Sequence, residues 1–159
     1  MMKRHARFLG SMVAGLVLLS SAIAFADSYS VPDASGDGTD VLDIRSAKHG
    51  HTTTGKLVHT VVTYGRFGAR KAGTISVNIT TPDNDYSVST YGIWDDDAQT
   101  YLNVQVKRPS EKSIKYIFPP SRIGSPASYD WFVVTTPGYS CPLCPDYAPN
   151  AGGTVTHDL

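Results

Sequence analysis

Between Thr74 and Thr81 the chain alternates strictly, with Ile75, Val77 and Ile79 apolar and Ser76, Asn78 and Thr80 polar. A period of two gives an extended segment one face for a core and one for water, and it cannot form the apolar stripe of a helix. The same pattern recurs. Leu57, His59, Val61 and Thr63 predict one face of a strand over 56–67, with Val58, Thr60, Val62 and Tyr64 on the other. Further runs at 41–47, 86–94, 102–106, 114–118 and 131–135 are bounded by turn residues, and Pro119-Pro120 and Pro137-Gly138 end two of them. About seven short strands without a helical stretch predict an all-β fold, an antiparallel, jelly-roll-like β-sandwich. The acidic residues agree: thirteen are Asp and only Glu111 is Glu. Asp competes for local backbone hydrogen bonds and so favours turns and metal loops, whereas Glu favours helices. One helical turn is expected near 121–127, and the last twenty residues read as an irregular tail.

Residues 1–26 read as an export signal: Lys3, Arg4 and Arg7 precede an apolar run from Met12 to Ile23, and Ala24-Phe25-Ala26 supplies the small residues that signal peptidase accepts. The apolar core is about 12 residues, short of the roughly 20 that span a bilayer. Cleavage before Asp27 is therefore expected, leaving a single secreted domain over 27–159 with no membrane association. Three of the 14 basic residues lie in the signal, so 11 remain against 14 acidic ones, a formal charge of −3. A surface of that sign disfavours nucleic acid.

Asp33, Ser35 and Asp37 present side-chain oxygens at alternate positions, interleaved with Gly36 and Gly38, and Asp40 and Asp43 follow closely. That is how a loop wraps a hard cation, and Asp33, Asp37, Asp40 and Asp43 are the candidate ligands of a calcium cofactor. An EF-hand is excluded, because Ile44 stands where its bidentate Glu is required. The reading favoured over calcium is a solvated Asp/Gly/Ser turn leading into the first strand.

Asp33, Gly36 and Asp37, followed by Asp43-Ile44-Arg45-Ser46 and by Leu57 opening a strand, resemble the beginning of extracellular β-sandwich modules similar to the family 9 carbohydrate-binding and DOMON-like group. The stretch 118–159, with Tyr129-Asp130-Trp131, Cys141, Cys144, Asp146, Ala148-Pro149 and His157, is similar to the C-terminal portion of secreted bacterial proteins of actinobacterial type. The resemblance implies a jelly-roll-like sandwich without a catalytic centre of its own and with calcium near its start. It carries over no sugar site, because the paired aromatic clamp of that carbohydrate-binding family has no residue-by-residue match.

Cys141 and Cys144 are the only cysteines, and in an exported chain a structural disulfide between them is expected. Its short loop contributes only about 2 kcal/mol. A thioredoxin-like redox pair, or zinc shared with His157 or His49, are the alternatives. His49 and His51 would share a strand face, but two ligands without a third make a poor metal site. Tyr91, Trp94 and Tyr101 flank an acidic hairpin tip, Asp95-Asp96-Asp97, and are the candidate ligand-binding residues, since aromatic faces beside carboxylates hold sugar rings. Core packing is the competing reading and is favoured for both Trp131 and Trp94. No Gly-x-Ser-x-Gly elbow occurs. The chain thus reads as a secreted, non-catalytic binding module, not an enzyme, with a glycan, cell-wall polymer or extracellular protein surface as partner. The alternatives are an inhibitor or adhesin directed at proteins, or a small hydrolase using the Asp95–Asp97 carboxylates.

Overall fold

The computed structural model describes residues 28–38, 40–67, 73–138, 145–150 and 153–159. The expected signal and both cysteines, Cys141 and Cys144, lie outside them. Twelve strands are present among the described residues: β1 (Tyr29–Pro32), β2 (Ile44–His51), β3 (Leu57–Thr63), β4 (Gly73–Thr80), β5 (Asp85–Ser89), β6 (Gly92–Asp95), β7 (Thr100–Leu102), β8 (Gln105–Ser110), β9 (Ser113–Phe118), β10 (Ser128–Pro137), β11 (Asp146–Ala148) and β12 (Val155–Asp158). All pairings are antiparallel. One sheet has the order β1-β2-β3-β9-β8; the other runs β11-β10-β4-β5-β6-β7, with β12 also on β10.

The all-β antiparallel sandwich is as the alternation predicts, but the strand count is higher than seven. Two expected strands are each divided. The 86–94 run folds back at Thr90-Tyr91 into the β5–β6 hairpin, and the 102–106 run breaks between β7 and β8, which belong to different sheets. The tail expected to be irregular contains β11 and β12, and the leading acidic segment contains β1. Residues 40–42 form a 3-10 turn, so the strand expected from 41 starts at Ile44. The helical turn expected near 121–127 is a 3-10 turn over Pro120–Ile123.

The core lies between the sheets. β3 buries Leu57, His59, Val61 and Thr63, and β4 buries Ile75, Val77 and Ile79, the apolar sides of their alternations. Trp131, 1 % exposed, is the largest fully buried side chain. The Tyr116 hydroxyl donates to the Ile75 carbonyl across the sandwich at 2.6 Å, satisfying its one polar atom. Another tie fixes the 3-10 turn: Thr135 Oγ1 on β10 donates to the Leu42 carbonyl at 3.0 Å. That bond holds the acidic segment against the second sheet.

Candidate functional site

Three constellations stand out, each assembled from distant segments. The first is on the outer face of the larger sheet. Directly paired residues share a face, and the register aligns Phe132 with Asn78, Asn78 with Ser87, Ser87 with Trp94 and Trp94 with Tyr101. Tyr147 packs beside Phe132, with centroids 6.4 Å apart. The row crosses from β10 to β7, about 19 Å at ordinary strand spacing. It has aromatic ends and a polar floor. Trp94 and Tyr101 pack at 5.0 Å. Trp94 is half-buried here rather than in the core, and it helps line a cavity of about 270 Å³ with Asn78, Thr80, Asp85 and Ser87. Tyr91 does not join this row. It sits in the β5–β6 turn, 76 % exposed, and lines a different cavity with Phe67 and Arg108.

Asp95, Asp96 and Asp97 form the tip between β6 and β7. Asp95 Oδ1 accepts from Asn84 Nδ2 at 2.7 Å and from the Ala98 N–H at 2.9 Å. This carboxylate is committed to holding the turn.

The second constellation is acidic. Asp33 continues the β1 edge, its N–H donating to the Arg45 carbonyl at 3.1 Å. One carboxylate oxygen each from Asp33, Asp37 and Asp146 lies within 4.8 Å of the others. Asp146, at the start of β11, is a residue that sequence reasoning missed. Its Oδ2 accepts from the Ile44 N–H at 2.6 Å, so the carboxylate bridges the two sheets where they meet the acidic segment. Gly38 permits that approach, because a Cβ there would fall 2.6 Å from Asp146 Oδ2. Asp43 is adjacent and turned partly to the loop, with Oδ2 accepting from the Gly36 N–H at 2.9 Å. The expected set of Asp33, Asp37, Asp40 and Asp43 is therefore revised: Asp146 joins Asp33 and Asp37, Asp43 stands next to them, and the side chain of Asp40 lies outside what the structure describes.

Both carboxylate oxygens of Asp33, and Asp43 Oδ1, are buried with no hydrogen-bond partner. Buried charge without a partner is costly, and a hard cation is the chemistry that satisfies several carboxylates at once. Burial, then the charges of Asp146 and Asp37, push the Asp33 carboxyl up to about 7. Burial also raises Asp146, opposed by the N–H groups of Ile44 and Tyr147.

The third constellation gathers every described histidine. His49 and His51 on β2 point the same way, His59 lies opposite His49 on β3, and His157 on β12 lies opposite Tyr129 on β10. The His49 and His157 rings are 3.6 Å apart between centroids. One ring nitrogen from each of His49, His51 and His157 lies within 4.8 Å of the others. The Tyr129 hydroxyl is shared, 3.0 Å from His49 Nδ1 and 3.1 Å from His59 Nε2. His49 Nε2 and His51 Nδ1 are buried without a hydrogen-bond partner. Burial, then the other histidines, lower the His49 pKa to about 2, and burial likewise lowers that of His59 to about 3. His49 and His59 are thus uncharged lone-pair donors at neutral pH. Reading His49 and His51 as a pair lacking a third ligand is corrected by His157. The period-two spacing was the available signal, but the partner strand was not visible.

No known family model, curated protein or solved structure matches this chain. Among the described residues no helix is long and apolar enough to cross a membrane.

Proposed function

We propose that this chain is an extracellular, non-catalytic binding module that holds a linear glycan across the outer face of its larger sheet, and that calcium clamps its acidic segment. The observation that carries the reading is the row from Tyr147 and Phe132 through Asn78 and Ser87 to Trp94 and Tyr101. Aromatic faces stack on the apolar faces of sugar rings, and small polar side chains between them hydrogen-bond hydroxyls. A row of this length suits an oligomer better than a single ring. The engagement of Asp95 in its turn favours binding over hydrolysis.

A polysaccharide array probed with the mature protein tests this. Trp94→Ala should weaken binding at least about tenfold, the effect of removing a central aromatic anchor, whereas Tyr91→Ala should leave it unchanged. A protein that retains no polysaccharide but captures a protein ligand through the same face would transfer the reading to an adhesin or inhibitor. Hydrolysis of an arrayed polymer, lost in Asp97→Ala, would make it an enzyme.

The calcium clamp uses Asp33, Asp37 and Asp146, with Asp43 beside them, as hard oxygen donors. Without the ion the folded protein keeps a proton on Asp33 up to about pH 7. Calcium must displace that proton below this pH but finds the carboxylate already ionised above it. Affinity should therefore rise about tenfold per pH unit up to about pH 7 and level off beyond. Titration calorimetry at about pH 6 and about pH 8 checks this, and equal affinities at both would contradict it.

A further inference from the structure

We propose that His49, His51 and His157 form a second metal site, separate from the acidic one, that binds a borderline divalent transition ion such as zinc through three imidazoles and leaves a fourth position to water. Three observations support it. The ligand nitrogens come from two strands of opposite sheets and converge within 4.8 Å, a distance set by the packing of β12 on β10 above β2. Tetrahedral zinc at ordinary Zn–N lengths places its nitrogens roughly 3.4 Å apart, so each would move by less than about 1 Å.

The hydrogen bonds already present prepare one ligand. Tyr129 has a single hydroxyl proton to share between His49 Nδ1 and His59 Nε2. If His49 Nδ1–H donates to the hydroxyl and the hydroxyl donates to His59, His49 Nε2 presents a bare lone pair toward the other rings. Metal binding selects this tautomer, and Tyr129 becomes the outer-shell partner that fixes the ring.

The third observation is an imbalance that the ion removes. His49 Nε2 and His51 Nδ1 are buried polar atoms without partners, a desolvation cost that a bound ion offsets. A neutral core filled by Leu or Phe would avoid it. Access exists as well, at His51, which is half-buried near the end of β2. Nitrogen ligands select against calcium, and the all-oxygen set around Asp33 is poorly suited to zinc. The two sites therefore take different ions.

Full-length mature protein is titrated with zinc against a chromogenic chelator, and with cobalt(II) as a spectroscopic stand-in. One zinc per chain is expected, with the visible bands of four-coordinate cobalt and no thiolate charge-transfer band. His157→Gln should weaken zinc on the order of a hundredfold, and Tyr129→Phe about ten- to a hundredfold. Both should keep the far-ultraviolet circular dichroism and cooperative melting of the unaltered protein, which shows the fold intact. His51→Gln, on a half-buried side chain, replaces His157→Gln should the latter fail to fold. Zinc binding that survives the histidine variants but disappears in Cys141→Ser/Cys144→Ser, or in Asp37→Ala, would overturn the assignment, as would no binding at all. Loss of glycan binding in Trp94→Ala does not bear on it, so the two readings fail independently.

Discussion

Bringing calcium from a chelator background to about a hundred times its dissociation constant should raise the melting temperature on the order of 10 °C, because an ion bound only by the native state adds about 2.7 kcal/mol. The affinity that makes such occupancy reachable comes from the carboxylates. Asp33 and Asp146 are buried, Asp43 is beside them, and these carboxylates repel each other in a poorly hydrated corner between the sheets. A dication reverses every one of those interactions. Asp37→Ala should abolish most of the shift while leaving the sandwich intact, since Asp37 is exposed. Asp33→Asn should act oppositely in the two conditions, raising the melting temperature in chelator by removing a buried charge and lowering it in calcium by removing a ligand. A melting temperature indifferent to calcium would return the segment to a solvated turn.

Trp131→Ala should cost about 3–5 kcal/mol, a large part of the roughly 5–15 kcal/mol that holds a domain of this size together. The indole is 1 % exposed and packs between the sheets, with its ring 5.1 Å from His59 and 6.1 Å from His49. Removing it leaves a cavity bordered by β-strand backbones that cannot collapse freely. Trp131→Phe should cost far less, under about 1.5 kcal/mol, because the indole N–H is buried with no hydrogen-bond partner and its loss relieves an unmet donor. Urea denaturation of both variants measures the pair. Equal losses for Phe and Ala would mean that the N–H matters more than the ring volume.

How far such features could be read without coordinates depended on distance along the chain. The Thr74–Thr81 alternation translates directly into the buried face of β4, because a strand's faces are set by neighbours one and two residues away. The same local logic puts Asp33 and Asp37 near one another and His49 and His51 on one face. It failed at β11 and β12, three and four residues long, where no period can establish itself. Those strands exist because β10 is ten residues long and offers an edge to both: Val133–Thr135 pairs with β11 and Ser128–Trp131 with β12. Asp146 and Ile44 are 102 positions apart, and no local pattern links them. The divided runs at 86–94 and 102–106 have a different cause. Alternation identifies a strand's faces but not which sheet it joins, and that is decided by tertiary pairing.

The shared edge of β10 also orders events in time. A chain emerges from its N-terminus, and β11 and β12 are the latest of the described strands to appear. Asp146 and His157 arrive with them, so both candidate metal sites exist only after that edge has been filled. A chain stalled before residue 146 would display the acidic segment and the β2 histidines as open, weak half-sites. Metal capture would then mark the finished molecule, serving as a latch that closes last rather than a nucleus around which folding begins.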